Sequence, residues 1–154
     1  MKKFNELVSE CAEKVSEIMP WDLEEQLDSD SPPLLVDVRE PYEFAAMHIR
    51  DSINVPRGIL ETACEYDFEE TVPELVEARN RDVVVICRSG NRSVFAAYIM
   101  QLLGYNNVSS LKTGLRGWND YEQPLVNDAG EVDIDDAEEY FTAKLRPEQM
   151  HPED

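Results

Sequence analysis

Cys87 stands between two apolar runs in VVVICRSGNRSVFAAYIM, residues 83–100, with Arg88, Ser89, Gly90, Asn91, Arg92 and Ser93 directly after it. The run before it is short and aliphatic, as in a buried strand, and the run after it is long enough for a helix, so the thiol falls where a strand passes into a helix. In a parallel α/β sheet such junctions lie beyond the carboxyl ends of the strands, where ligands collect and where a helix start presents free N–H groups. Gly90 permits a tight turn with positive φ, and the amides of Arg88 to Ser93 can converge on one point as an anion-binding nest. Those amides, the helix start and the charges of Arg88 and Arg92 favour thiolate over thiol, which makes Cys87 the candidate nucleophile. A cysteine without such neighbours is a small buried hydrophobe. That is the expectation for Cys11, and for Cys64 no role is expected, with a redox partner thiol as the alternative.

Two chemistries use a thiolate in a backbone cradle. Cysteine phosphatases carry Cys-x-x-Gly-x-x-Arg-Ser/Thr, a loop that encircles a phosphoryl group, whereas the string here is one residue shorter between Cys87 and Arg92. A tighter ring suits a single sulfur atom carried on the cysteine better than a tetrahedral phosphate. Ile86 also stands where many tyrosine phosphatases have a histidine. Phosphatase or arsenate reductase activity is therefore disfavoured.

The elements that must position this loop follow from apolar spacing. Phe4, Leu7, Val8, Cys11, Val15 and Ile18 recur at helical steps, which predicts one helix over Phe4 to Ile18. Pro20 breaks it and opens a short second helix through Leu27. Strands are expected at Leu34 to Val38, Ile53 to Val55 and Val83 to Ile86, short aliphatic-rich runs whose continuous rather than alternating apolarity points to cover on both faces, with a further strand near Val108 to Leu111. Helices are expected at Pro41 to Met47, roughly Thr71 to Arg79, and Ser93 to Leu103, the last ended by Gly104. Alternation of strand and helix predicts an α/β fold, a parallel sheet with helices on both faces. After Pro124, LVNDAGEV reads as a turn between extended pieces, and DIDDAEEYFTAKL as an acidic helix with Ala137, Tyr140, Phe141 and Leu145 on one face. The chain thus divides into an N-terminal amphipathic helix (1–19), a central domain (20–124) and an acidic C-terminal extension accessory to it (125–154).

Lys and Arg number 14 against 33 Asp and Glu, a formal charge of −19, which opposes binding to nucleic acid or anionic membrane surfaces. The N-terminus lacks the apolar stretch of a signal peptide, and no run is long enough to span a bilayer. Three cysteines form no CxxC or Cys/His cluster, so no disulfide framework and no metal site are expected, and a reducing cytoplasm is the expected setting.

The segment LLVDVREPYEFAAMHIRDSINVP, the CRSGNRS loop and TGLRGW together resemble a single-domain rhodanese, over roughly Trp21 to Trp118. The resemblance implies a rhodanese-like fold and a sulfurtransferase without a cofactor. In it Cys87 takes the outer sulfur of a small anionic donor such as thiosulfate and, as a persulfide, yields it to cyanide or a thiol, including a protein thiol. Arg88 and Arg92 would attract the anion, although Arg92 could equally serve an internal carboxylate. Asp37 and Arg39 are expected to brace the fold as an ion pair, His48 to hydrogen-bond at a turn, and Trp118 to pack in the core. Arg57 could border the pocket or stand in solvent. With Arg88 and Arg92 it is expected to form a small positive island. The sequence departs from the family pattern at Met47, at Asp51 and Ser52, and at Thr113, each at or beside a usual glycine. A sulfur-carrier or binding module with little turnover is the competing reading, its first helix or acidic tail docking a partner. The apolar stripe of that helix also leaves a homo-oligomer open.

Overall fold

A computed structural model of the chain describes residues 1–152. In chain order the elements are α1 (Phe4–Ala12), β1 (Ser16–Ile18), α2 (Pro20–Leu27), β2 (Leu34–Asp37), α3 (Pro41–Ala46) and β3 (Ile53–Asn54). A 3-10 turn at Arg57–Ile59 leads into α4 (Leu60–Ala63), followed by α5 (Pro73–Val76), β4 (Val83–Ile86), α6 (Arg92–Leu102), β5 (Val108–Leu111) and α7 (Gly114–Asp120). The chain closes with β6 (Val126–Asn127), β7 (Gly130–Glu131), α8 (Ile134–Phe141) and a last 3-10 turn at Pro147–Gln149.

Five parallel strands form one sheet in the order β1-β5-β4-β2-β3, and β6 and β7 form a separate antiparallel hairpin. The central strand β4 is aliphatic at every position because its side chains alternate between two cores. On β4, Val83 and Val85 face a cluster with Ala96, Ala97 and Met100 of α6, Leu60 and Ala63 of α4 and Leu75 of α5. Val84 and Ile86 face the other side, with Leu23 of α2, Leu115 and Trp118 of α7, and Ala137 and Phe141 of α8. Cys87 continues the alternation onto the α6 side.

The connection from β2 runs outward to β3, and that from β4 runs the opposite way to β5. The adjacent carboxyl ends of β2 and β4 thus flank the point where the order reverses, the place where open α/β sheets bind ligands. Asp37 and Cys87 lie at those two ends.

The N-terminal helix is shorter than its spacing predicts. It stops at Ala12, and Ser16–Ile18 pairs with Ser109–Leu111 as an edge strand. Residues 1–19 are therefore a helix and a strand of the main sheet, because backbone pairing with β5 outweighs a helical period that Val15 and Ile18 merely continue. The helix lies on α6, with the Phe4 and Phe95 rings 6.2 Å apart and Cys11 Sγ 3.8 Å from the Val94 carbonyl; Cys11 is buried there, while Phe4 and Leu7 of the stripe remain exposed. The stretch Thr71 to Arg79 contains only one turn of helix, α5. The C-terminal helix ends at Phe141: Ala137 and Phe141 are buried in the core, while Leu145 is exposed beyond the helix. No helix of the described residues is long and apolar enough to cross a membrane.

Candidate active site

The loop after β4 wraps its backbone around the Cys87 sulfur. The amide N–H groups of Gly90 and Ser93 donate to Sγ at 3.2 and 3.3 Å, and the Ser93 hydroxyl oxygen lies 3.2 Å from it. Gly90 makes this possible with φ of 91°, and a Cβ there would stand 2.9 Å from the Thr113 amide nitrogen. Ser93, in the first turn of α6, is fully buried, and its hydroxyl meets that of Ser110 on β5 at 2.7 Å. Cys87 itself is 1% exposed. Ser89 is exposed and lines an open groove with Met19, Trp21, Thr113 and Tyr121, and Asn91 directly precedes α6 without a capping hydrogen bond from its side chain.

A second layer holds the loop in place. The first amides of α7, Leu115 N–H and Arg116 N–H, donate to the carbonyls of Cys87 and Arg88 at 2.9 and 3.0 Å. Gly114, with φ of 59°, lets the helix start approach this closely, since a Cβ would fall 2.6 Å from the carbonyl oxygens of Cys87 and Arg88. Thr113 and Asp51, both at positions where the family pattern has glycine, retain left-handed backbone with φ of 68° and 66°. Met47 is extended, with φ of −171°, and carries no such strain.

Charged side chains around the loop meet in pairs. Asp37 and Arg39 form a buried bidentate pair, with Arg39 Nε 3.0 Å from Oδ1 and Nη2 2.9 Å from Oδ2, and Nη2 also donates to the Met47 carbonyl. Arg92 donates through Nη1 and Nη2 to the two oxygens of Glu43 at 2.8 and 2.9 Å. Burial works against the Glu43 charge, but the hydrogen bonds and charge of Arg92 outweigh it and hold the carboxyl below its ordinary range. Arg57 pairs with Glu61 at 2.7 Å and lines one cleft together with Arg92, Phe95, Tyr98 and Ile99. Arg88 turns to the C-terminal extension, where Nη2 donates to the Phe141 carbonyl at 3.0 Å. Of the expected positive island, Arg57 and Arg92 are paired with carboxylates, whereas Arg88 is not. His48 Nδ1 donates to the Phe44 carbonyl at 2.7 Å and its ring stacks on that of Phe44, while its backbone bridges to Val126. Trp118 is buried and donates to the Pro124 carbonyl.

Glu43, Ser110 and the start of α7 escape the reading of single residues. Their signals are present in the sequence: Glu43 is the acidic member of the Glu-Phe pair, Ser110 is one of two hydroxyl residues between Val108 and Leu111, and Gly114 lies in TGLRGW. Cys64 lies in the same core cluster as Cys87 but faces Tyr105, and burial pushes its thiol up. Burial likewise raises Cys11. All three cysteines are unpaired, and among the described residues no group of His, Cys, Asp and Glu is arranged to hold a metal ion.

The profile of the rhodanese-like domain matches residues 19–121 of this chain. A sulfurtransferase of Allochromatium vinosum is 35% identical over 117 residues, 75% of this chain and 99% of that protein. YrkF of Bacillus subtilis, named as a candidate sulfur carrier, is 32% identical over 118 residues; the match takes in 77% of this chain and 58% of YrkF. Among solved structures, RPA3614 of Rhodopseudomonas palustris, described as of unknown function and a candidate tyrosine phosphatase, superposes with a TM-score of 0.70 at 25% identity, covering 80% of this chain and 94% of that one.

Proposed function

Because this chain belongs to the rhodanese-like domain family, we propose that it moves a sulfane sulfur through a persulfide on Cys87. The observation that carries the reading is the convergence of two amide N–H groups and the Ser93 hydroxyl on one sulfur at the switch point of the sheet. In the first half-reaction the Cys87 thiolate attacks the outer sulfur of a donor such as thiosulfate or a related persulfide. The donor's S–S bond breaks, and sulfite or a thiolate leaves with the electron pair. In the second, cyanide or a thiol attacks the outer sulfur of the Cys87 persulfide and restores the thiolate. Dividing one displacement into two is covalent catalysis, and the N–H groups aimed at the sulfur offset the negative charge that it carries between the steps.

The sulfur-carrier name of YrkF favours a second reading in which the persulfide is held for a protein thiol with little turnover on small acceptors. The phosphatase reading is opposed by the ring between Cys87 and Arg92, one residue shorter than the phosphatase pattern. Three unpaired cysteines support a reducing compartment such as the cytoplasm.

Intact-protein mass before and after thiosulfate, followed by thiocyanate release on adding cyanide, tests the proposal with Cys87→Ser in parallel. The expected result is a gain of one sulfur that cyanide discharges and that the variant lacks. Slow discharge by cyanide with fast discharge by a protein thiol would favour the carrier reading. Hydrolysis of an aryl phosphate that depends on Cys87 would overturn both.

A further inference from the structure

An open groove runs beside the cysteine loop. Residues that closely follow three neighbouring parallel strands line it: Met19 and Trp21 after β1, Thr113 after β5 and Ser89 after β4. It therefore opens at the same end of the sheet as Cys87. Ser89 belongs to groove and loop alike, and two residues of extended chain, about 7 Å, are the most that can separate its Cα from that of Cys87.

One wall of the groove is α7. Arg116, in the first turn, stands at the loop end, where its amide N–H donates to the Arg88 carbonyl at 3.0 Å. Tyr121, directly after the helix, stands at the far end, about 7 Å further along the axis at the helical rise per residue. There the Trp21 and Tyr121 rings meet edge to face with centroids 5.9 Å apart, yet the two residues remain 48% and 41% exposed. A single exposed aromatic is ordinary, but Trp, Tyr and Arg gathered in one groove are the residues in which the binding energy of protein interfaces concentrates.

Charge is polarised along the same line. Arg39, Arg57 and Arg92 each have a carboxylate partner, whereas Arg88 and Arg116, side by side at the loop end, have none among the described residues. The acidic groups of the groove stand toward its aromatic end: Asp120 lines it one turn beyond Arg116, and the charge of Glu24 acts on Tyr121. Glu138 borders Arg116 across a separate small cleft without pairing with it. The groove thus presents an apolar seat at one end and an unpartnered cation at the other.

Resting on the sulfur-transfer reading, we infer that this groove docks the acceptor protein through an extended segment that seats a large apolar side chain on Trp21 and Tyr121, sets a carboxylate against Arg116 two residues on, and brings the cysteine next to that carboxylate to the Cys87 persulfide. The spacing follows from the helix, since about 7 Å equals two residues of extended chain. The acceptor thiolate attacks the outer sulfur of the persulfide, and an S–S bond forms on the acceptor. The S–S bond at Cys87 breaks, and Cys87 leaves as the thiolate with the electron pair. The proton of the transferred S–H travels with its sulfur, so one negative charge is present before and after and no oxidant or reductant is consumed. Choice of acceptor then lies with α2 and α7 rather than with the cysteine loop.

For the test, Cys87 is loaded from thiosulfate or, failing that, cysteine persulfide, and then discharged by short thiol peptides, the loss of sulfur being followed by intact mass. The probes are acetyl-Phe-Gly-Glu-Cys-amide and the reversed acetyl-Cys-Glu-Gly-Phe-amide, because the groove fixes the spacing but not the chain direction. Counterparts carry Lys for Glu or Gly for Phe, and rates are referred to thiolate concentration. In one direction the Glu peptide is expected to discharge Cys87 about fivefold faster than its Lys counterpart, and about tenfold faster than its Gly counterpart. Arg116→Gln should bring the first preference within about twofold and keep the second, and Trp21→Ala should do the reverse, a match of variant to peptide that general damage to the fold would not produce. Equal discharge by all the peptides, or preferences that survive both variants, would overturn the inference while the sulfur-transfer reading stands. A chain that neither donor loads would overturn that reading and the inference with it.

Discussion

Cys87 and Cys64 lie in the same core cluster, each at the end of a regular element and each shut off from solvent, yet their sulfurs meet different surroundings. Around Cys64 stand aliphatic side chains and the Tyr105 hydroxyl, and that hydroxyl donates to the Leu75 carbonyl at 2.5 Å. Around Cys87 the water is replaced by two amide N–H groups and a hydroxyl. Removal from water disfavours the charged form of a thiol, and burial raises Cys64 in spite of the Tyr105 hydroxyl beside it. A nucleophile needs donors fixed in place before the reaction begins.

The widest separation between the two thiols is expected on deleting each. Cys87→Ser should lower sulfur loading by at least about a thousandfold, measured by intact mass. Cys64→Ala should leave loading within about twofold and cost about 1–2 kcal/mol of stability in a denaturant titration. A Cys64 variant that could not be loaded would end the contrast and make Cys64 a partner thiol. Gly114→Ala attacks the Cys87 side alone: its Cβ would strike the carbonyls of Cys87 and Arg88, so loading should slow by about thirtyfold with a loss of about 3 kcal/mol.

A matched pair of hydroxyl deletions sharpens the comparison further. Ser110→Ala removes the group that meets the Ser93 hydroxyl behind the sulfur, and should slow loading about fivefold while costing about 1 kcal/mol. Tyr105→Phe leaves the Leu75 carbonyl and Arg79 without their hydroxyl partner, and should cost about 2 kcal/mol without changing the loading rate. Equal kinetic effects of the two would mean that the hydroxyl behind Cys87 only packs.

The smallest effect concerns acid. Because the folded Glu43 carboxyl lies below the ordinary glutamate value of about 4.3, its pairing stabilises the fold above that pH and is lost as the pH falls through the lower folded value. The stability gap between the unaltered chain and Glu43→Gln should therefore shrink from about pH 6 to about pH 3 in parallel thermal melts. A constant gap would show that the Arg92 clamp owes nothing to the Glu43 charge.

The parts of this fold that were legible in advance are those whose signals are local. Val83 to Ile86 is aliphatic at each position and bounded by polar residues, and it forms β4 with those limits. Glycine, two arginines and two hydroxyls crowded after Cys87 likewise mark a nest without reference to the rest of the chain. Where the reading failed, a distant partner decided. Val15 and Ile18 keep a helical step from Cys11, but Ser16–Ile18 joins β5, from a part of the chain far along the sequence. Gly114–Asp120 contains two glycines in seven residues and shows little helical propensity, yet its first amides find waiting carbonyls in the cysteine loop.

The sequence by itself determined the family and the strand-to-helix turn that holds Cys87, because a thiol, a glycine and successive amides act on one another within a few bonds. Only the tertiary structure decided what the loop's charges do. Arg88 and Arg92 stand four residues apart, but their partners, Phe141 and Glu43, lie 53 and 49 residues away, and Ser110 reaches Ser93 across 17. Electrostatic and hydrogen-bond pairing depends on distance in space, which local spacing does not encode, and so a loop that reads as a positive cradle folds into one whose cations are already held.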